Sequence, residues 1–124
     1  MKMNIKKYRL IPGITQEDYL GQLCEECGEL IQSAEKLQRI TRGTNPSPVS
    51  AADCWENIRE ELADVLLCMI LVIHRQQIPL DDVAGRMDRK YYRWRARTFE
   101  KRQKEKRLQQ IYDGLEIEKE PPLD

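Results

Sequence analysis

Residues 23–30 read Leu23-Cys24-Glu25-Glu26-Cys27-Gly28-Glu29-Leu30, and two chemistries compete in this stretch. The C-x-x-C pair suggests zinc or thiol redox chemistry. The interleaved glutamates suggest a carboxylate metal site. The surrounding periodicity favours the glutamates. Apolar residues recur at helical spacing from Tyr19 and Leu20 through Leu23, Cys24, Cys27, Leu30, Ile31, Ala34, Leu37 and Ile40, so both cysteines belong to the apolar stripe. There they are read as packing, since a buried cysteine behaves as a small hydrophobe. Structural zinc takes four ligands, and no second C-x-x-C follows; Cys54, Cys68 and His74 are scattered.

On the amino-terminal side, Thr15 is placed to cap this helix, with Glu17 and Asp18 in its first turn, where acids suit the positive end of the helix dipole. The helix is expected to end near Arg42-Gly43. A loop with two prolines follows, Thr44-Asn45-Pro46-Ser47-Pro48-Val49-Ser50. A second helix is expected from Ser50 or Ala51 to about Gln76. Its apolar face carries Trp55, Ile58, Leu62, Val65, Leu66, Met69 and Ile73, with Leu67 and Leu71 on the other side. A helix apolar on all sides is buried on all sides, which predicts the centre of a bundle and a subunit interface. His74 is read as capping its end. After Pro79 a third helical segment should run from Leu80 to about Gln110. Residues 1–14 read as an irregular arm. The acidic segment 113–124 reads as a loose tail.

The two long helices carry the same pattern. A shift of 35 residues lays Glu25-Glu26-x-x-Glu29 on Glu60-Glu61-x-x-Asp64, and Gln22 on Asn57. At about 100° per residue, Glu26 and Glu61 fall at about 240° from Leu20 and Trp55 respectively, and Glu29 and Asp64 at about 180°. Each helix thus presents a polar strip bordering its apolar face. Antiparallel packing, the usual result of a short connection, would gather Glu26, Glu29, Glu61 and Asp64 around one point. Two like charges about 4 Å apart repel by roughly 4 kcal/mol at an effective dielectric near 20. A hard divalent cation such as Mg²⁺ or Mn²⁺ removes that penalty. Gly28, costing about 1 kcal/mol in a helix relative to alanine, would let something approach closely.

The motifs Glu25-Glu26-x-x-Glu29 and Glu61-x-x-Asp64 resemble the E-E-x-x-E … E-x-x-D signature of the all-α nucleoside triphosphate pyrophosphohydrolases, the MazG-like branch in particular. The similarity spans roughly residues 15–95 and includes the segment IPLDDVAGRMDRKYYR from Ile78 to Arg93. The resemblance implies an all-α helical bundle of about four helices that assembles into dimers or tetramers. It implies Mg²⁺-dependent cleavage of a nucleoside triphosphate between the α and β phosphates, to monophosphate and pyrophosphate. Carried over by position, Glu26, Glu29, Glu61 and Asp64 would be metal ligands and Glu25 a supporting acid. A sibling activity on a modified nucleotide such as phosphoribosyl-ATP fits the same motifs.

Composition sets further bounds. The chain has 124 residues, 21 Lys and Arg against 21 Asp and Glu, 34% charged and 40% hydrophobic residues, as in a helix-rich single domain with charged outer faces. That domain is expected over residues 1–112. There is no Ser-His-Asp set, since His74 is the single histidine, and no phosphate-binding G-x-x-x-x-G-K-[ST] loop. The longest apolar run, Val65 to Ile73, is far below the ~20 residues that span a bilayer, and the basic start lacks the apolar run of a signal peptide. Both point to a cytoplasmic protein with reduced cysteines and no membrane partner. Between Arg86 and Arg107 stand eleven Lys or Arg against three acids. Arg86, Lys90 and Arg93 are candidates for the triphosphate; Gln22 and Trp55, for the rest of the nucleotide. The alternative is a non-catalytic module that binds nucleic acid or protein through helix 86–107, with Tyr91, Tyr92 and Trp94 stacking on bases. Zero net charge argues against nucleic acid.

Overall fold

Thr15 starts the first helix as its composition requires. Its hydroxyl accepts from the Asp18 N–H at 3.2 Å, and its own N–H donates to the Asp18 carboxylate at 2.9 Å. This reciprocal capping box satisfies two donors that the first turn leaves unpaired. The bonds from the Thr15 backbone and then its hydroxyl hold the Asp18 carboxyl below its ordinary range. The helix, α1, runs Gln16–Arg42 and stops at Gly43, whose φ of 67° is left-handed, a conformation that costs other L-residues about 1 kcal/mol or more.

The computed structural model describes residues 2–43 and 49–119 (backbone only for 116–119). The proline loop at 44–48 and the last five residues lie outside the described set. Among the described residues there are three α-helices, one 3₁₀ turn at Ile5–Lys7 and no strand. The all-α class stands. The described residues hold three of the about four helices expected.

The second helix, α2, runs Ala51–Arg75, with the Ser50 hydroxyl accepting from the Asp53 N–H at 3.2 Å. Its end differs from expectation. Gln77 takes a left-handed φ of 53°. The Gln77 N–H then reaches the His74 carbonyl at 3.2 Å, and the Ile78 N–H reaches the Ile73 carbonyl at 3.0 Å. This pair of bonds is a Schellman closure, and it consumes the carbonyls that His74 was expected to cap. The imidazole is free to bond elsewhere, and its Nδ1–H donates to the Tyr8 carbonyl at 2.9 Å. Glutamine is a costly choice at a left-handed position. Gln77→Gly is expected to stabilise the protein by roughly 0.5–1 kcal/mol, the relieved strain exceeding glycine's extra entropy in the unfolded chain. A urea titration with unchanged slope and raised midpoint is the check.

Helices α1 and α2 pack antiparallel. Leu37, near the end of α1, is buried with Cys54 and Ile58 at the start of α2, and Leu30, Ile40 and Val49 pack around them. Tyr19 at the start of α1 is buried, as are Val65, Cys68, Ile70 and Leu71 towards the end of α2. The packed sides are not the apolar stripes that the sequence emphasises. On each helix the packed side is rotated by roughly 70° towards the acids. Of the expected α2 face, Ile58 and Val65 are buried, but Trp55, Leu62, Leu66 and Met69 are exposed, as are Leu20 and Ile31 on α1. Cys24 is exposed and Cys27 half-buried, so the stripe that was to bury both cysteines faces out of the α1–α2 pair. One neighbour cannot cover a helix apolar on nearly every side. Which part it covers is decided by partner shape, not by periodicity.

The arm before α1 is tied down rather than irregular throughout. Besides the His74 bond, the Ile11 N–H donates to the Tyr19 hydroxyl at 2.9 Å. These residues, up to Pro79, form one compact unit; a second begins at Leu80. It contains α3, Leu80–Lys119, 40 residues long. The helix continues past the end expected near Gln110 and through residues 113–119 of the segment that reads as loose, the rest of which lies outside the described residues. No proline interrupts before Pro121, and Gln109 donates to Asp113 at 2.9 Å across the expected end, a bond of the i,i+4 kind that supports helices. No helix among the described residues is long and apolar enough to cross a membrane.

Candidate functional site

Rotation of the packed sides towards the acids brings carboxylates inward from both helices. Glu26 and Glu29 of α1 and Glu61 of α2 each offer a carboxylate oxygen, and these oxygens lie within 4.8 Å of one another. Glu26 and Glu61 are half-buried and Glu29 exposed. One turn separates Glu26 from Glu29 on α1, and the antiparallel crossing delivers Glu61 opposite them.

The electrostatics are those of like charges held close together. Glu29 is raised above the ordinary carboxylate value, first by the charge of Glu61, then by burial. At Glu26 the strongest influence is the Gln22 amide, which donates to Oε1 at 2.7 Å and pulls the carboxyl down. Burial and the charges of Asp64 and Glu29 together outweigh it, and the net shift is upward. The second oxygens of Glu26 and Glu61, both Oε2, are cut off from solvent and have no hydrogen-bond partner. Native proteins rarely leave buried acceptors unsatisfied, and an ion is one standard explanation. Three clustered oxygen donors, two with orphaned oxygens, fit a hard divalent cation.

Asp64 stands outside this trio but acts on Glu26 and lines a pocket of about 310 Å³ beside it. The pocket has Asp18, Gln22, Glu26 and Asp64 on its polar side. Its apolar walls include Ile11 and Ile14 from the arm, Tyr19, and Leu67, Cys68 and Leu71 of α2. Burial first, then the charges of Glu26 and Asp64, pushes the Cys68 thiol up, so it stays protonated and wall-like. The sequence reading missed the arm and Cys68 as site residues. The available signal was the pair Ile11 and Ile14 flanking Pro12-Gly13, apolar residues with no other use in an arm. Glu25 is exposed and outside the trio, and its charge adds to the upward push on Glu29. Trp55 is 54% exposed and lies outside the pocket lining. A Cβ on Gly28 would meet nothing within 4 Å outside its own helix backbone among the described residues. Arg86, Lys90 and Arg93 belong to the α3 unit and are exposed; Arg86 pairs with Asp82 at 3.0 Å.

No curated protein and no solved structure matches this chain. Residues 14–99 match the family described as the MazG nucleotide pyrophosphohydrolase domain. The match takes in α1, the acid trio, Asp64, α2 and the first half of α3. A match over that share of the chain, with carboxylates from two helices converging at its centre, establishes that the protein belongs to the MazG nucleotide pyrophosphohydrolase family.

Proposed function

We propose that the protein is a Mg²⁺-dependent nucleoside triphosphate pyrophosphohydrolase that cleaves (d)NTPs between the α and β phosphates. The observation that carries this reading is the trio Glu26, Glu29 and Glu61, whose oxygens lie within 4.8 Å while two buried oxygens lack any partner. These three, with Asp64, would hold the ion, Mg²⁺ or Mn²⁺. Bound there, it would neutralise phosphate charge and lower the pKa of a water.

The chain's own side chains supply orientation and enclosure. The Gln22 amide fixes the Glu26 carboxylate, so one acceptor lobe stays turned towards the trio. Glu25 supports from the exposed side as a secondary acid. The apolar pocket beside Glu26 and Asp64 suits the base and sugar, and its arm wall is anchored by the His74 and Tyr19 bonds. Arg86, Lys90 and Arg93 are assigned to phosphate oxygens. For Arg86 the exposed pair with Asp82 is a weak competitor, such pairs contributing about 0–1 kcal/mol. Trp55, exposed and outside the pocket lining, is a candidate only for contact with substrate beyond the pocket. The exposed apolar residues of α1 and α2 support a homo-oligomer, dimer or tetramer, because monomers rarely leave such a face to water. A cytoplasmic location suits nucleotide chemistry and free thiols.

The test is release of pyrophosphate from canonical dNTPs and NTPs, with Mg²⁺ and with EDTA. Metal-dependent release with the matching monophosphate is expected. Failure of all substrates in a protein that binds Mg²⁺ points to a modified nucleotide. Failure with no metal binding overturns the site and leaves interaction through the basic helix as the reading.

A further inference from the structure

We infer that α3 of one chain pairs antiparallel with α3 of a second copy, as a two-stranded coiled coil centred near Gln103. This rests on α3 alone and is independent of the proposed activity. Met87, Tyr91 and Trp94 in its first half, and Leu108, Tyr112 and Leu115 in its second, are all exposed by 45% or more. Their separations are four then three residues in each half. Thr98, Lys101 and Glu105 continue the same four-three rhythm between them. Met87 to Leu115 therefore forms one seam with a mean period of about 3.5 residues, the period that winds two helices around each other. Its second half lies beyond the family match, which ends at residue 99.

The charged pair in the middle of the seam selects both partner and direction. In a parallel, in-register pair, Lys101 would face Lys101 and Glu105 would face Glu105. In an antiparallel pair centred on Gln103, each Lys101 faces the partner's Glu105. The same register sets Thr98 against Leu108, Trp94 against Tyr112 and Tyr91 against Leu115. Polar residues at a few core positions commonly fix register at some cost in stability, and here the two charges are complementary only when the helices run oppositely. The antiparallel order also lays the basic half, Arg86 to Arg97, alongside the partner's end that turns acidic at Asp113. A nucleic acid would find the rings of Tyr91, Trp94 and Phe99 grouped with Arg95 and Arg102. It would have no use for the apolar seam from Leu108 to Leu115. A second copy uses the whole length.

The experiment is sedimentation equilibrium of the full chain and of Lys101→Glu, Glu105→Lys and the double exchange. Each single change places two like-charge contacts in the seam and is expected to weaken self-association about tenfold. The double exchange should restore it to within about twofold, with helix content unchanged throughout. Singles without effect, or a double variant as weak as its parents, overturn the pairing. So does a pattern in which the singles alter oligonucleotide binding but not self-association. Since other faces can also join copies, a benzophenone side chain at Tyr112 gives a second readout in mixed light and heavy isotopic protein. Cross-links to residues 90–98 of the other copy are expected; links into α1 or α2 instead overturn the proposal.

Discussion

Replacing Glu29 with Gln is expected to cut metal-dependent pyrophosphate release by at least about a hundredfold while leaving the protein folded. The size follows from the charge arrangement. A site that holds a hard cation through carboxylates loses both affinity and alignment when one donor becomes neutral, and single losses of charge stabilisation cost about 10²–10³ in turnover. The folded state should not suffer. Glu29 is raised chiefly because Glu61 repels its charge, so the amide removes a repulsion while keeping the shape. The metal-free variant is therefore expected to melt higher than the metal-free parent. Glu25→Gln is the matched control: Glu25 is exposed and outside the trio, and its loss should be far milder. Paired steady-state assays and thermal melts decide the matter. Equal turnover in the parent and in Glu29→Gln would remove the trio from the mechanism.

Adding Mg²⁺ is expected to stabilise the protein strongly at pH 7.5 and weakly near pH 4.5. Glu26 and Glu29 are both raised in the folded protein. A carboxyl with a raised pKa binds its proton more tightly folded than unfolded. Its contribution favours the fold in acid and is lost as pH rises through the raised value. Asp18 works oppositely: its pKa is lowered, so its contribution is present above the ordinary aspartate value and fades as pH falls through the lowered one. At neutral pH Glu26 and Glu29 thus carry charges that oppose folding in metal-free protein, and an ion that binds only the deprotonated acids offsets them. At a hundredfold excess over Kd the ion adds about 2.7 kcal/mol, on the order of 10 °C for a chain of this size. In acid, protons compete for the same oxygens and the increment shrinks. Melts with MgCl₂ and with EDTA at the two pH values test this. An increment independent of pH, or one preserved in Glu26→Gln with Glu61→Gln, would place the ion elsewhere.

The ends of α1 and the start of α2 were legible because they depend on local chemistry: the Thr15 capping box, Gly43 at a left-handed stop, the Ser50 cap. The matched offsets of Glu26 with Glu29 and of Glu61 with Asp64 were legible for the same reason, since helical angle is a property of one element. Legibility fails where several residues compete for one partner. The α2 helix is apolar on so many sides that its periodicity cannot say which side meets α1. Tertiary packing chose the side bearing Glu61, drew three acids to within 4.8 Å, and left Trp55, Leu62, Leu66 and Met69 outside. It also set Asp64 beside a pocket rather than in the trio.

What remained hidden depends on contacts across long separations. His74 meets Tyr8 across 66 residues, and no local rule anticipates that the ring leaves the helix end once backbone amides have closed it. Ile11 becomes a pocket wall only when Tyr19 holds it. That the chain is helical, where its first two helices begin, and which acids share a face were all readable from residue order, because these follow from bonds within a turn or two. Which face is inside and which carboxylates lose their water were not, because burial belongs to the pair of helices and not to either one.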